Sequence, residues 1–367
     1  MKITAIEPIL IKLPYEHGAP KPPMGAGPVR ETMDALLLRV ETDKGITGWG
    51  EAFGFATTPV TISAIENALT PLVIGQDVDD IEKLTTTIKR KMQNMMHGGP
   101  ARFAVSALDI ALWDIRGKAM GEPVWKLLND KATRDYVPAY ASLLKLGEPD
   151  RVSKICDAAL ERGYRHIKLH ERTVEATNAA REAIGPDVSL MVDTNCAWTV
   201  DEAIAMAQQM RPLNLTWLEE PISPPDDYAG LARVRCEGGV PVAVGENLGN
   251  PMDVHWLAGE NAADFIQPSV VKLGGISDVW KTQAYAKTKG IRVMPHSPFV
   301  GPGLIATIHI VAAMEDDVWC EHRYCDLGAD PLKGTAPFVD GNLMVPQKPG
   351  LGIEMDMDIV ERYRTKP

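Results

Sequence analysis

The alternation of short apolar strands with helical stretches after residue 136 most constrains what this chain can fold into. The apolar runs predict strands at 137–142, 166–170, 188–193, 216–219, 242–246, 265–267, 292–295 and 318–321. Helical periodicity fills most of the intervals between them, for example at 174–184 and 277–289. Strands that alternate with helices form a parallel sheet, and eight of them close into a barrel. We therefore expect an α/β protein built on a TIM-type (β/α) barrel.

The chain before the barrel has a different rhythm. Residues 2–13, 34–41 and 46–51 read as strands, and the turn Asp43-Lys44-Gly45 joins the last two as a hairpin. Apolar spacing becomes helical between residues 61 and 128. The Pro- and Gly-rich stretch 15–29 predicts a long loop of the kind that forms lids or binding elements. We expect a small antiparallel sheet with helices, onto which the last stretch of chain returns.

Composition excludes several classes of function. Lys and Arg number 38 against 49 Asp and Glu, which gives a net charge of −11 without a basic run. Nucleic acid is therefore an unfavourable partner, because phosphate binding needs clustered positive charge. No apolar run reaches the roughly 18 residues of a membrane span. The N-terminal segment lacks signal-peptide features, and five scattered cysteines suggest no disulfide framework, so we expect a cytoplasmic protein that acts neither on nor in a membrane.

Three predicted strands end in acids, at Asp193, Glu219 and Glu246, each about one βα unit from the next. In a βα barrel the carboxyl ends of the strands form the mouth where chemistry takes place, so these side chains should converge. Converging carboxylates repel one another unless a cation lies among them, and oxygen-only ligands favour Mg²⁺ or Mn²⁺ over zinc. The alternative for any single acid is that it caps the following helix.

Basic residues occur on a neighbouring strand. Alternation places His166, Lys168 and His170 on one face, which we expect to look into the barrel. His296 follows the seventh strand, and Glu321 ends the eighth. A lysine near a strand end is usually solvated, yet basic groups beside a carboxylate cluster can neutralise a substrate carboxylate and accept a proton.

With these residues in place, the chain resembles the enolase superfamily, in the mandelate racemase/muconate lactonizing enzyme-like family and its mandelate racemase-like subgroup. The resemblance covers nearly the whole length and includes two structural landmarks, Gly48-Trp49-Gly50-Glu51 and the helix end at 113–118. It implies a modified (β/α)7β barrel with an N-terminal α+β capping domain that the C-terminal segment completes. The implied boundaries are 1–130 for the cap, 131–330 for the barrel and 331–367 for the returning segment.

The resemblance also implies roles for the site residues. Lys168 matches the first lysine of the family's Lys-x-Lys strand, and a protonated Glu321 would hydrogen-bond the substrate carboxylate. Two positions depart from the family pattern: His170 replaces the second lysine, and Ser269 stands where racemase-like members carry the aspartate that pairs with His296. The residues implied to hold Mg²⁺, with Mn²⁺ as an alternative, are Asp193, Glu219 and Glu246.

The implied reaction removes the proton α to a carboxylate and gives an enediolate. Without its aspartate partner His296 should be less basic, so we expect His170 to act as base and His296 as general acid. This arrangement favours dehydration of a hydroxylated acid such as a sugar acid. Racemisation or epimerisation of a 2-hydroxy acid or amino-acid derivative is the alternative. A non-catalytic, metal-stabilised ligand-binding protein on the same scaffold is an alternative from another class.

Substrate contacts are expected mainly on the barrel side, because the predicted lid offers little hydrogen-bonding side-chain chemistry beyond Lys21. Trp198 could equally lie against an apolar group. The partner that we expect is a small carboxylate substrate, and family habit suggests a homo-oligomer. The candidate substrate-binding residues are Ser142, Asn195, Asn247 and His322, with Arg323 beside them.

Overall fold

The structure is a computed structural model that describes residues 1–23 and 29–365; residues 24–28 of the predicted lid lie outside the described part. The strands are β1 (Ile3–Glu16), β2 (Thr32–Thr42), β3 (Thr47–Ala52), β4 (Tyr136–Leu143), β5 (His166–Leu169), β6 (Ser189–Asp193), β7 (Trp217–Glu219), β8 (Val242–Val244), β9 (Phe265–Ile266), β10 (Arg292–Val293), β11 (Cys320–Tyr324), β12 (Asp326–Leu327), β13 (Phe338–Val339), β14 (Asn342–Met344) and β15 (Arg364–Thr365).

The helices lie mostly between these strands. None of those in the described ranges is both long and apolar enough to cross a membrane. They are α1 (Thr58–Ser63), α2 (Thr70–Val73), α3 (Ile81–Lys91), α4 (Pro100–Met120), α5 (Val124–Leu128), α6 (Pro149–Glu161), α7 (Val174–Ile184), α8 (Val200–Met210), α9 (Tyr228–Gly238), α10 (Asp253–Gly259), α11 (Val270–Leu273), α12 (Gly275–Thr288), α13 (Pro302–Ala313) and α14 (Met357–Tyr363).

The first three strands form an antiparallel sheet that packs on helix α4. The close approach explains the glycines of the first landmark, because a Cβ atom on Gly50 would lie 1.9 Å from the Ala107 carbonyl oxygen of α4. The end of the chain returns to this sheet, where β15 pairs with β1 at Leu10 and Ile11. Strand β12 pairs with β1 as well. The predicted α+β cap is confirmed, whereas its boundaries at 130 and 330 stay a prediction.

Strands β4 to β10 pair in sequence order and in parallel, and β11 returns parallel to β4. After β10, the backbone N–H of Ser297 donates to the Glu321 side-chain carboxylate of β11 at 2.9 Å and so links the two ends of the barrel sheet. Several strands end earlier than the apolar runs predict. Strand β8 stops at Val244 because Gly245 adopts φ +136°, which turns the chain and re-aims Glu246.

Buried carboxylates join the cap to the barrel. Glu51 on β3 is 3% exposed and accepts a 2.7 Å hydrogen bond from the Gly303 N–H at the start of α13. Asp109 on α4 accepts from the Ser277 N–H of α12 at 2.9 Å. Because backbone N–H groups at helix starts lack partners within the helix, such carboxylates satisfy them. The cap is therefore fixed over the carboxyl ends of the barrel strands.

Candidate active site

Lys168 on β5 is the centre of the site. Its side chain is fully buried, and Nζ lies 2.7 Å from Glu219 Oε1, 2.8 Å from Glu321 Oε1 and 3.7 Å from Asp193 Oδ2. Burial alone would lower the pKa of Lys168, but the surrounding carboxylates, led by Glu219 and Glu321, raise the pKa well above its ordinary value. The ammonium group therefore stays charged and holds three carboxylates from three other strands together.

Glu321 is held as an ionised carboxylate. Its Oε1 accepts from the Ser142 hydroxyl at 2.7 Å, and its Oε2 accepts from the Ser297 N–H at 2.9 Å. Burial acts to raise the pKa of Glu321, but the Lys168 charge outweighs it, and the pKa is lowered. Lys168, Ser142 and Ser297 all donate to this side chain, so Glu321 is an acceptor here, and its expected protonated form against a substrate carboxylate stays a prediction.

Glu219 ends β7 and faces the same interior. Besides Lys168, it accepts from Trp217 Nε1 and from Gln267 Nε2, both at 2.8 Å to Oε2. Sequence reasoning missed both of these donors. For Trp217 the signal was present, because it lies two residues before Glu219 and therefore on the same face of the strand. Three donor atoms thus fix a carboxylate that is 0% exposed.

Glu246 follows β8 and turns toward His296. Its Oε2 lies 2.8 Å from His296 Nε2, and Oε1 accepts from the Asn247 amide at 3.3 Å. Burial acts to raise the pKa of Glu246, but His296 lowers it overall. On the other side of the ring, His296 Nδ1 is buried, and neither it nor the Ser269 hydroxyl has a hydrogen-bond partner among the described residues. Ser269 therefore does not replace the family's aspartate as a hydrogen-bond partner of this histidine.

His170 lies beside Asp193. Its Nδ1 is 2.5 Å from the Leu143 carbonyl oxygen, and its Nε2 is 3.3 Å from Asp193 Oδ2. Because a carbonyl can only accept, Nδ1 carries a proton and Nε2 is the atom that can take up another. Asp193 is held in turn by the backbone N–H of Asn195, which donates to Oδ1 at 2.8 Å. The two site histidines thus contact different acids, one at the end of β6 and one just after β8.

The three acids expected to hold a metal are only partly brought together. Asp193 and Glu219 are register partners on β6 and β7 and both face Lys168, whereas Glu246 pairs with His296. In the described ranges no three His, Cys, Asp or Glu side chains are arranged to hold an ion. The donor set nevertheless suits a hard cation, since all three are carboxylates at the mouth. Glu246 contacts His296 through Oε2, which leaves Oε1 with only the 3.3 Å contact to Asn247.

The candidate substrate-binding residues divide into two groups. Ser142, Asn195 and Asn247 lie around the acid cluster, each hydrogen-bonded to one of its carboxylates. His322 does not lie with them, so the structure does not support the substrate contact that was expected of it. Because Glu321 points inward, His322 on the same strand points outward, where its Nδ1 lies 2.7 Å from the Tyr164 hydroxyl and its ring stacks on Phe338.

Lys272 is an additional cation at the mouth. It lies on α11, its Nζ donates to Asn247 Oδ1 at 3.3 Å, and it stands 4.8 Å above the Phe53 ring of the cap. The strand predicted at 265–267 does not fix the direction of this side chain, because a helix begins at Val270. In the structure that change of geometry places the lysine between the barrel and the cap.

Two family models match the chain and account for most of it. Residues 17–129 match the mandelate racemase/muconate lactonizing enzyme N-terminal domain, and residues 151–359 match the enolase C-terminal domain-like family. These ranges correspond to the cap and to most of the barrel together with the returning segment.

Relatives of known activity agree with the family models. D-galactarolactone cycloisomerase from Agrobacterium fabrum is 31% identical over 99% of each chain, and arabinonate dehydratase from Saccharolobus solfataricus is 31% identical over 93% of each. A racemase from Streptomyces coelicolor, solved with bound magnesium, is 27% identical, superimposes with a TM-score of 0.86 and covers 99% of this chain and 100% of its own. The chain therefore belongs to the enolase superfamily, with a mandelate racemase/muconate lactonizing enzyme cap, and is an enzyme of that superfamily.

Proposed function

We propose that this enzyme removes the α-proton of a hydroxylated carboxylic acid and expels the β-hydroxyl, so that it acts as a Mg²⁺-dependent sugar-acid dehydratase. The observation that carries the proposal is the buried Lys168 held between Glu219 and Glu321, with a histidine on either side of the cluster. A relative named arabinonate dehydratase supports the substrate class, and a neighbour with bound magnesium supports the metal.

Asp193, Glu219 and Glu246 are the residues that would hold the metal, since they are carboxylates at the ends of consecutive barrel strands. A bound Mg²⁺ supplies positive charge that offsets the negative charge developing on the substrate carboxylate. Mn²⁺ has the same preference for oxygen ligands and is the expected substitute. Because Glu246 Oε2 contacts His296 Nε2 at 2.8 Å, this proposed metal ligand also lies beside the proposed general acid.

Lys168 and Ser142 are placed to receive the substrate carboxylate, because both already hydrogen-bond Glu321 at the base of the site. Deprotonation at the α-carbon moves negative charge onto the carboxylate oxygens. A fixed ammonium group therefore binds the enediolate more strongly than the substrate, and the difference lowers the barrier. Burial makes this interaction stronger than it would be in water.

His170 is the general base in this proposal. The Leu143 carbonyl holds the proton on Nδ1, which leaves Nε2 to take the α-proton. His296 contacts Glu246 through Nε2, and its Nδ1 has no hydrogen-bond partner among the described residues. It is therefore the general acid, and it delivers the Nε2 proton to the departing β-hydroxyl as water.

A second candidate reaction follows from the cycloisomerase relative. Elimination needs only a leaving oxygen at the β-carbon, so the same two histidines could open a lactone or anhydro ring instead of releasing water. D-galactarolactone cycloisomerase has the same 31% identity to this chain as the dehydratase does. If instead His296 returned a proton to the α-carbon, the result would be racemisation or epimerisation. A homo-oligomer and a cytoplasmic location stay predictions.

The test is turnover of a library of sugar acids, their lactones and simple 2-hydroxy acids with Mg²⁺. Formation of a 2-keto acid supports dehydration, and isomerisation of a lactone without loss of water supports ring opening. Loss of optical rotation without a keto product contradicts the elimination and supports racemisation. Binding of acids without turnover of any of them overturns the enzymatic proposal in favour of a ligand-binding protein.

A further inference from the structure

Two arginines stand at the mouth of the barrel without a role in the proposed chemistry. Arg30 ends the cap loop, and Arg323 lies two residues beyond Glu321 on β11. Both are half-buried, and neither has a carboxylate oxygen within 4.0 Å in the described part of the chain. Residues 24–28 are Met-Gly-Ala-Gly-Pro and contain no acid. In a chain with 49 acids and 38 bases, two half-buried guanidinium groups without an acidic partner call for an explanation.

Arg323 lies on the strand that carries Glu321, two residues farther along the chain. Because side chains two residues apart on a strand share a face, Arg323 lies on the inward face with Glu321 and closer to the mouth. Its Nε donates to the Pro298 carbonyl oxygen at 2.9 Å, and Pro298 follows His296 by two residues. This backbone contact holds the guanidinium group beside the loop that follows His296.

Arg30 approaches the same place from the cap. Its Nε donates to the Thr32 carbonyl oxygen at 3.2 Å, and its guanidinium lies 4.7 Å from the centre of the Phe55 ring. Tyr15 donates to the Arg30 carbonyl oxygen at 2.9 Å and belongs to an apolar cluster against which Val300 and Cys325 pack. Arg30 is thereby tied to the loop after His296 and to the end of the strand that carries Arg323.

The two positive charges affect each other. Burial, with the nearby Arg323 charge acting in the same direction, lowers the pKa of Arg30 to about 10. Two partly buried guanidinium groups that repel each other destabilise the protein unless an anion lies between them. The planar fork of arginine matches a carboxylate with two parallel hydrogen bonds.

We propose that Arg30 and Arg323 bind a second carboxylate of the substrate, so that the enzyme prefers dicarboxylic sugar acids to monocarboxylic ones. One carboxylate lies at Lys168 and the acid cluster, and the other lies between the two arginines under the cap. The inference rests on the proposed function, because it assigns the second end of the same substrate.

The experiment compares matched pairs of sugar acids that differ only in whether the terminal carbon is a carboxylate or a primary alcohol. The wild-type enzyme is expected to have a kcat/KM at least about 100-fold higher for the diacid. Arg323→Met and Arg30→Met should each reduce that ratio at least tenfold, mainly through KM, because charge and geometry are both lost. Arg323→Lys should restore part of the ratio. Arg116→Met, an exposed arginine on α4, is the matched control and should keep the wild-type ratio.

Calorimetric binding of a simple aliphatic dicarboxylate, with the matching monocarboxylate as reference, gives a second readout. It applies even where an arginine variant turns over poorly, provided that its thermal unfolding matches wild type. Equal kcat/KM for both members of the pairs, or an unchanged ratio in folded arginine variants, overturns the second-carboxylate site and leaves the proposed function intact. If no acid of either class reacts or exchanges its α-proton, the proposed function fails and this inference fails with it.

Discussion

The barrel side and the cap side of the site are built differently. On the barrel side, Lys168, Glu219 and Glu321 are fully buried, and residues of the barrel strands and of the segments that follow them contact their charged atoms at 2.7–2.9 Å. On the cap side, Arg30 and Lys21 are half-buried, and each donates to a backbone carbonyl oxygen. Lys21 also forms two long ion pairs, at 3.7 and 3.8 Å. We infer that the fixed side carries out the chemistry and the looser side selects the substrate.

Chelation of divalent metal is expected to have the largest effect on turnover. The metal-binding carboxylates all lie on the barrel side, so removing the ion tests that side alone. Turnover should fall below detection in chelator and return with Mg²⁺. Glu246→Gln should weaken Mg²⁺ binding at least about tenfold by calorimetry. Glu260→Gln, at an exposed position without an ion pair among the described residues, is the control. Full turnover in chelator would contradict the assignment of the acids.

Lys168→Met is expected to have the next largest effect. It should reduce kcat/KM by about 10³-fold, because a fixed charge at the developing enediolate is lost. In metal-free buffer it should also lower the free energy of unfolding by about 3–5 kcal/mol, since buried carboxylates lose their cation. Urea denaturation measures the second effect, with exposed Lys145→Met as control. A stable, active variant would show that this lysine is dispensable.

The two histidines should separate the steps of the reaction. His170→Ala should lower turnover by about 100-fold or more and abolish exchange of the α-proton with solvent. His296→Asn should lower product formation to a similar extent but retain exchange, because the base is intact. His255→Asn, on the exposed face of α10, should behave like wild type. Loss of exchange in the His296 variant alone would reverse the two roles.

A smaller effect is expected at the junction between the two sides. Burial raises the pKa of Glu51 from 4.5 to about 7, although the backbone N–H groups of Gly303 and Gly301 oppose the rise. The folded state therefore binds this proton more tightly than the unfolded state, and the stability it contributes is lost as pH rises from 4.5 through about 7.

Glu51→Gln should remove that dependence and become more stable relative to wild type by about 2 kcal/mol between pH 5 and pH 8. Urea midpoints across this range measure the difference, with exposed Glu66→Gln as control. If the difference in stability between wild type and Glu51→Gln does not change with pH, Glu51 stays ionised in the folded protein.

Much of the architecture could be predicted from the sequence, because it follows from periodicity. Helix α7 has the predicted bounds, and the strands carrying Lys168, Asp193 and Glu219 lie where the apolar runs place them. Local backbone geometry was harder to predict. The φ of +136° at Gly245 and the helix beginning at Val270 depend on tertiary contacts, and they redirect Glu246 and Lys272.

The site residues were predictable, but their pairing was not. Sequence spacing placed acids at strand ends, yet only three-dimensional packing decides that Lys168 contacts three of them while Glu246 contacts His296. His322 is different, since the alternation of a strand already carrying an inward Glu321 would have placed it outside. Arg30 could not have been assigned to the mouth from sequence, because it is separated from Arg323 by most of the chain.

The most direct test of the account follows the α-proton itself. A sugar acid that the enzyme turns over is incubated in D₂O with Mg²⁺, and proton NMR records loss of the α-proton signal and any deuterium at that carbon in recovered substrate. The account predicts metal-dependent exchange or elimination at the α-carbon in wild type and none in His170→Ala. Turnover that leaves the α-proton in place, or exchange that persists equally without metal and without His170, would contradict it.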